Sequence, residues 1–187
     1  MKVIHLNVPI LNENDILNIH AGDIVYLTGE IYTGRDAAHK RLCDLVNAQK
    51  DLPISLNNET IYYVGPTPTK PGEVIGSAGP TSSYRMDPYS GMLMKKGLKI
   101  MIGKGPRSKE YKEELKKHKA IYLSCIGGNA CLISKCIKKQ EVVTYEDLGT
   151  EAIHRFKVEN LYTICTYDSY GNDLFREGIE KFRGKNQ

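Results

Sequence analysis

The sequence predicts a mixed α/β (α+β) fold, and three observations lead to that class. Segments rich in branched and aromatic residues alternate with segments whose apolar residues recur at helical spacing. The 187 residues, of which 41% are hydrophobic, match the size of one domain with its own core. No repeat or Ser/Gly-rich linker divides the chain. We therefore expect residues 1–187 to form a single domain with a mixed sheet and flanking helices.

The first half of the chain predicts two strands separated by a helix. Residues 23–28 and 61–64 carry the branched and aromatic residues typical of strands. Between them, Ala38 and Leu42 belong to an apolar series at helical spacing, and Thr33 with Asp36 indicates a capping box where that helix starts. Residues 65–88 are rich in proline and glycine and lack apolar periodicity, so we expect a long irregular loop with a function.

The second half predicts three more strands, at residues 98–102, 120–126 and 161–167. A lysine-rich helix with Ser108 as its N-cap separates the first two, and further helices are expected over residues 130–137 and from Asp173 onward. Gly127 and Gly128 lie between a strand and a helix, which favours a junction that faces an anion. The G-x-G-x-x-G spacing of a dinucleotide site is missing there.

The positive charge of the chain is concentrated in one segment. The net charge is +4, and residues 95–119 hold nine lysines and one arginine against three glutamates. Glutamates are interleaved with lysines between residues 109 and 118, and no aromatic-rich stacking motif accompanies them, so we interpret this stretch as a solvated helix and expect no nucleic-acid partner. We find neither a signal peptide nor an apolar span of membrane-crossing length, and we expect a cytoplasmic protein without a membrane contact.

The five cysteines favour buried, reduced thiols over a metal site. Their number is odd and no secretory signal accompanies them, which argues against a disulfide framework. Cys131 and Cys136 are five residues apart on a predicted helix, and no C-x-x-C pair exists. We therefore expect this chain to hold no metal of its own.

Three cations lie beside glycine or proline in separate loops, which lets them converge on one ligand. Arg35 follows Gly34, Arg85 follows a Gly-Pro loop, and Lys104 lies between two glycines. A guanidinium meets a carboxylate with two parallel hydrogen bonds, so these residues suit a small dicarboxylate. Arg35 is also expected in the first turn of its helix, where the helix dipole favours an anion. The alternative for each is a surface cation paired with a neighbouring carboxylate.

Several long motifs resemble one enzyme family. They are Tyr32-Thr33-Gly34-Arg35-Asp36, Gly65-Pro66-Thr67-Pro68, Gly79-Pro80-Thr81 with Arg85-Met86-Asp87, Gly103-Lys104-Gly105, Gly127-Gly128-Asn129-Ala130, Glu151-Ala152-Ile153 and Asp168-Ser169-Tyr170-Gly171-Asn172. Together they resemble the C-terminal domain or beta subunit of class I fumarases and the related tartrate dehydratases, over nearly the whole chain.

The resemblance implies a swivelling β/β/α-type domain that packs on a larger alpha subunit in a hetero-oligomer, with a dimer of heterodimers as one arrangement. It further implies that the alpha subunit holds a 4Fe-4S cluster, one iron of which acts as a Lewis acid. The implied reaction is the interconversion of malate and fumarate by a hydro-lyase, and this chain alone would be inactive.

Matching the motifs residue by residue implies a set of roles. Arg35, Ser82, Arg85 and Lys104 would bind the substrate, and Thr81 would take the proton from carbon. A threonine hydroxyl is a poor base at its ordinary pKa, so the alternative is that Thr81 only donates a hydrogen bond. Two neighbours of Arg35 are expected to act structurally: His39 would orient the loop and Asp36 would hold the arginine.

Two positions depart from the family pattern of Thr-Thr-Ser-Gly before the arginine. Ser82 replaces threonine and keeps the hydroxyl, whereas Tyr84 replaces glycine, adds bulk and could exclude a left-handed backbone. The substrate therefore stays open between malate or fumarate and L(+)-tartrate, which would be dehydrated to oxaloacetate. A dicarboxylate-binding module without a partner is a third alternative.

Overall fold

The computed structural model describes residues 1–126, 128 and 130–183, and it confirms the mixed α/β class. The strands within these residues are β1 Val3–Val8, β2 Ile24–Thr33, β3 Thr60–Tyr62, β4 Ile100–Gly103, β5 Ile121–Ser124, β6 Ile137–Thr144 and β7 Ile153–Tyr167. The α-helices are α1 Asn14–Leu17, α2 Asp36–Asn47, α3 Asp87–Lys95, α4 Lys109–Lys117, α5 Ala130–Cys136 and α6 Leu174–Arg183.

The seven strands form one sheet that closes on itself. Its order is β1-β2-β3-β4-β5-β7-β6, and β2 also pairs with β7. Strands β1 to β5 pair in parallel, whereas β7 runs antiparallel to β2, β5 and β6. Because the long strands β2 and β7 pair along most of their length, β2, β3, β4, β5 and β7 complete a ring, and the ring has no open edge between them.

Alternate residues of the ring strands enter two different cores. On β4, Ile100 and Ile102 belong to one buried cluster, and Met101 belongs to the other. This follows from the period of two along a strand. The second cluster also contains Leu42 of α2 and Leu115 of α4, so α2, α3 and α4 form a layer against the sheet. The loops between this layer and the strand ends carry the candidate site.

The predicted capping box at the start of α2 is wrong. The residue preceding the helix is Arg35, and its side chain makes no cap. The hydroxyl of Thr33 instead ties β2 to the start of β7, because it accepts a hydrogen bond from the His154 amide at 2.9 Å and donates to the Ala152 carbonyl at 3.4 Å. The N-cap at Ser108 is confirmed, since its Oγ accepts the Tyr111 amide at 3.1 Å.

Other boundaries also differ from the prediction. The loop expected over residues 65–88 is irregular only as far as Ser82, where a 3-10 helix, Ser83–Met86, begins and leads directly into α3. Pro88 lies in the first turn of α3, where its missing amide costs nothing. Strands β1 and β6 were not predicted, and the Gly127 part of the expected glycine junction lies outside the described residues. Among the described helices, none combines the length and the apolar character needed to cross a bilayer.

Candidate functional site

Arg35 connects the end of β2 to the start of α2. Its backbone is extended, with φ −125° and ψ −162°, and Gly34 donates its amide to the Tyr62 carbonyl of β3 at 3.1 Å. The side chain lies against Gly65, where an added Cβ would be 2.9 Å from Arg35 Nη1 and 3.1 Å from the Thr150 carbonyl oxygen. The absence of a side chain at Gly65 therefore makes room for this guanidinium.

Arg35 and Arg85 come from separate elements and converge on Asp36. Arg85 Nη2 lies 3.3 Å from Asp36 Oδ2, and Arg35 Nε lies 3.9 Å from the same oxygen. The side chains are 24% exposed for Arg35 and 39% for Arg85, so both can reach a ligand from solvent. The structure thus brings the two predicted guanidinium groups to one place, and Asp36 holds them as expected.

Glu151, which the sequence did not single out for a role, completes the contacts of Arg35. Its Oε1 lies 3.4 Å from Arg35 Nη2, and its Oε2 accepts the amide of Ala37 at 3.1 Å. A carboxylate of this chain therefore occupies the start of α2, where an external anion was expected. By joining the helix terminus to the guanidinium, Glu151 fixes the direction in which Arg35 points.

His39 contacts the backbone of Arg35 from within the protein core. Its Nδ1 lies 2.9 Å from the Arg35 carbonyl oxygen, and its ring meets the Tyr63 ring edge-on at 5.2 Å. Burial lowers the pKa of His39 to about 4. The imidazole is therefore neutral at physiological pH, and because a carbonyl can only accept, Nδ1 carries the proton. This contact agrees with the orienting role expected for His39.

The loop that carries Thr81 and Ser82 is joined to Lys104 by backbone contacts. The Thr81 amide donates to the Tyr63 carbonyl at 2.7 Å, and Ser82 forms a parallel bridge with Lys104. The amide of Ser83 donates to the Lys104 carbonyl at 3.0 Å. Within the described residues, the Thr81 hydroxyl has no hydrogen-bond partner. The 3-10 helix then leads from this loop to Arg85, so Thr81, Ser82, Arg85 and Lys104 belong to one connected cluster.

Ser83 is the buried centre of this cluster, and the sequence did not identify it. It is fully buried, its Oγ accepts the Lys104 amide at 3.0 Å, and it donates to the Thr81 carbonyl at 3.2 Å. Gly103 makes this possible, because a Cβ there would lie 1.9 Å from Ser83 Oγ. A hydroxyl residue flanked by other hydroxyl residues carries no signal of burial, so only the fold distinguishes Ser83 from Ser82.

Tyr84 is compatible with its backbone. It lies in the 3-10 helix, and its φ is not positive, so the expected conflict with a left-handed conformation does not arise. Its side chain is 64% exposed and borders an open cavity of about 580 Å³ together with Asp87, Pro106 and Arg107. The larger residue is therefore accommodated without a change of the loop backbone, and its side chain points into a cavity that none of the three candidate cations lines.

Two polar atoms at the contact between Arg35 and Asp36 lack hydrogen-bond partners among the described residues. Arg35 Nε and Asp36 Oδ2 are both buried, and neither forms a hydrogen bond of good geometry to a described residue. Buried polar atoms in native proteins are nearly always satisfied. Asp36 Oδ2 is instead within ion-pair distance of both arginines.

A cavity larger than the one beside Tyr84 lies elsewhere. It has a volume of about 720 Å³ and lies between residues 67–77 and the α5–β6 segment. It contains neither arginine of the cluster, and its cations are lysines, Lys70, Lys135 and Lys138. We place the site at the arginines because two guanidinium groups from separate elements meet there at one carboxylate, and the volume of a cavity alone does not identify a binding site.

The cysteines of this chain do not fit an iron-sulfur cluster. Cys43, Cys125 and Cys165 are buried in the cores, and burial raises the pKa of the Cys43 thiol to about 11 and that of Cys125 to about 12. Within the described residues, no three Cys, His, Asp or Glu side chains gather in a way that could hold a metal ion. The three buried thiols thus have a packing role.

Many lysines of the basic segment are paired with carboxylates. Lys99 and Lys119 both contact Glu13, at 2.8 and 3.0 Å, and Lys112 contacts Asp173 at 2.9 Å. The interpretation of this stretch as a solvated, charge-paired helix is consistent with these contacts. Arg107 is paired too, with Asp87, but its side chain is fully buried.

Comparison with known proteins connects this geometry to a family. A family model described as the fumarase C-terminus matches residues 1–178. The chain is 41% identical to the anaerobic class I fumarate hydratase of Escherichia coli, over 83% of the chain and 29% of that protein. It is 40% identical to a provisionally named class I fumarate hydratase of Geobacillus stearothermophilus, over 96% of the chain and 35% of that protein.

A third relative has a different length. The chain is 34% identical to a protein of Methanocaldococcus jannaschii whose provisional name is L(+)-tartrate dehydratase subunit beta, over 91% of both proteins. The chain thus spans about a third of the length of the first two relatives and nearly the full length of the third.

Proposed function

The chain belongs to the fumarase C-terminus family, and from that premise we propose that it is the dicarboxylate-binding part of a hydro-lyase that interconverts malate and fumarate. In this proposal it acts as a beta subunit or C-terminal domain. The single observation that carries the proposal is the convergence of Arg35 and Arg85 on one oxygen of Asp36.

The arrangement suits a molecule with two carboxylates. Each guanidinium presents a planar fork of donors that matches a carboxylate, and a charged hydrogen bond contributes about 1.5 to 3 kcal/mol when shielded from water. Asp36 and Glu151 balance the charge of the two arginines in the free protein. The Arg35 side chain is 24% exposed, so part of its guanidinium group is accessible to an incoming ligand.

We assign the acid-base step to the loop beside the arginines. Removal of a proton from the carbon next to a carboxylate builds negative charge on that carboxylate, and Arg85 with Lys104 would stabilise it. Thr81 would accept the proton at Oγ1 as an alkoxide, or would pass its own hydroxyl proton onward as it does so, and the positive charge of Arg85 and Lys104 would lower the cost of that anion. Ser82 would donate a hydrogen bond to the substrate. The free hydroxyl and fixed backbone of Thr81 support either this role or that of a hydrogen-bond donor.

The remainder of the site is assigned to another polypeptide or to further sequence. The fumarate hydratase relatives are about three times longer than the matched region, and the name of the third relative describes a beta subunit. The described cysteines fit no cluster, so the proposal places the 4Fe-4S cluster on the partner alpha subunit. In that case the chain is inactive alone.

L(+)-tartrate dehydration is the second candidate reaction. It is favoured by the match over 91% of the Methanocaldococcus protein, which is of the same size. Tyr84, the residue before Arg85, is exposed and supplies a hydroxyl where the family resemblance implies glycine. Malate and tartrate differ by one hydroxyl, so this side chain bears directly on the choice.

The test is co-expression with a candidate alpha subunit under anaerobic conditions, followed by assays with malate, fumarate and L(+)-tartrate. We expect turnover by the pair and none by either chain alone. Arg35→Lys should abolish most of this turnover. Arg41→Lys should not, although Arg41 is also paired with a carboxylate, that of Asp147. If the isolated chain binds malate but no partner yields turnover, the partnerless binding module is the better description.

A further inference from the structure

A buried arginine surrounded by tyrosines lies directly beneath the candidate site. The side chain of Arg107 is fully buried, and its guanidinium carbon lies 3.4 Å from the ring centroid of Tyr111, 4.8 Å from that of Tyr122 and 5.3 Å from that of Tyr63. Removing a guanidinium from water is costly, and replacement of buried ion pairs by apolar residues often stabilises a protein. The position of Arg107 therefore calls for a reason other than stability.

Arg107 joins the two segments that carry the cations of the site. Its Nε donates to Asp87 Oδ1 at 2.5 Å, and Asp87 Oδ2 accepts the Ser108 amide at 2.7 Å. Asp87 comes two residues after Arg85, and Arg107 comes three residues after Lys104. A single carboxylate thus holds the end of the Arg85 segment against the chain that follows Lys104.

Tyr122 makes the second connection, through Ser83. The phenol donates to Ser83 Oγ at 2.9 Å, and the same oxygen accepts the Lys104 amide and donates to the Thr81 carbonyl. One donated and two accepted bonds use the full capacity of a serine hydroxyl, which fixes its orientation. Burial raises the pKa of Tyr122, so the phenol keeps the proton that it donates.

We propose that Tyr122, Ser83 and Arg107 are positioning residues. They fix the positions of Thr81 and Lys104 relative to Arg85. The proposal rests on the function proposed above, since it names what aligns that site. None of the three needs to touch the substrate. Their effect would pass through the hydroxyl of Ser83 and the carboxylate of Asp87 to the groups that do.

Tyr122→Phe is the sharpest test, because it removes one oxygen and keeps the ring beside Arg107. The matched control is Tyr111→Phe: Tyr111 is equally buried against Arg107, but its hydroxyl donates to the sulfur of Met101, away from the loops. Tyr122→Phe removes the contact to Ser83 Oγ and a longer one, 3.4 Å, to the Gly105 carbonyl oxygen, and Tyr111→Phe removes the contact to Met101. Each variant loses one buried phenol hydroxyl, so a merely structural role predicts similar changes in thermal unfolding and similar activity.

Two readouts separate the positioning role from the proposed reaction. In the assembled enzyme, Tyr122→Phe should lower kcat by roughly 10- to 100-fold with a smaller change in KM, as expected when reacting groups lose alignment. In the chain alone, amide exchange at Lys104 should be faster by about 10-fold or more, because its acceptor Ser83 Oγ loses its anchor. Tyr111→Phe should match the wild type in both measurements.

Each outcome decides between the two proposals. If kcat of Tyr122→Phe equals that of Tyr111→Phe, the positioning role is refuted even though the reaction stands. If the wild-type pair turns over none of the dicarboxylates, the proposed function fails. The amide exchange measurement then still tests whether Tyr122 and Ser83 hold Lys104 in place. Unchanged amide exchange at Lys104 in both Tyr122→Phe and Ser83→Ala would refute the positioning role.

Discussion

Acidification should destabilise the protein through His39, which is the buried histidine of α2. The ring is fully buried, its Nδ1 lies 2.9 Å from the Arg35 carbonyl oxygen, and its Nε2 has no hydrogen-bond partner among the described residues. Burial lowers the pKa of His39 from 6.5 to about 4, because a second proton would have no acceptor. The folded protein therefore keeps this imidazole neutral in a pH range where the unfolded chain protonates it.

The size of the effect follows from linkage. Above pH 6.5 both states carry a neutral ring, so its contribution to stability is fully present there, and it is lost as the pH falls toward 4. Between pH 7.5 and pH 5 the unfolded state gains about 2 kcal/mol relative to the folded state from this one group. Urea unfolding followed by circular dichroism at several pH values measures this loss.

His39→Asn isolates the contribution of the ring. Asparagine keeps a nitrogen donor for the Arg35 carbonyl but does not titrate. Other groups with shifted pKa values, including His154, lowered by burial, and Glu13, lowered by Lys99 and Lys119, are shared by both proteins and cancel in the difference. The wild type should lose about 2 kcal/mol more than the variant between pH 7.5 and 5. Parallel pH profiles for the two proteins would refute a buried, neutral His39.

Three further predictions concern the site and the cysteines. Arg85→Lys should lower kcat/KM roughly 10- to 100-fold with the circular dichroism spectrum unchanged, because lysine cannot supply the bidentate fork; an unchanged rate would remove Arg85 from the site. Gly65→Ala should raise KM for the dicarboxylate about 10-fold, because the new Cβ would lie 2.9 Å from Arg35 Nη1; a wild-type KM in steady-state assays would show that this contact is unimportant. Iodoacetamide should alkylate the exposed Cys131 of the native protein well before Cys125, where burial raises the pKa to about 12; equal rates by mass spectrometry would contradict the packing of Cys125.

The strands that pair in parallel were the easier part of the fold to predict. Strands β3, β4 and β5 are short, mainly apolar or aromatic runs that are almost completely buried. Such runs are typical of strands in a parallel sheet that is covered on both faces. By contrast, β6 is charged and mostly exposed, and it gains its partner only from β7. Its strand character is a tertiary effect, which propensity does not report.

The first half of β7 was missed for a different reason. Its buried residues are Ile153, Phe156, Val158 and Leu161, so the spacing between them is three, two and three residues. Register shifts against β2 and β6 and the positive φ of 50° at Asn160 interrupt the alternation of two. A search for strict alternation therefore recognises only the regular end of the strand.

At the site, the sequence predicted the arginines and the roles of Asp36 and His39, but not the contacts made by Glu151 and Ser83. The family resemblance identified Arg35 and Arg85, and their meeting at Asp36 depends on how the start of α2 packs against the 3-10 helix. Glu151 and Ser83 were not assigned roles, because their importance comes from partners distant in the chain. Local sequence patterns identify side chains that are suited to bind a carboxylate. The fold determines which of these side chains come into contact.

The central claim, that Arg35 and Arg85 bind one dicarboxylate together, is tested most directly by protection from phenylglyoxal. The reagent modifies accessible arginines, and mass spectrometry of the assembled enzyme reports each position. Malate should slow the modification of Arg35 and Arg85 to the same extent and leave the exposed Arg41 unchanged. Equal modification of all three arginines with and without malate would contradict the claim.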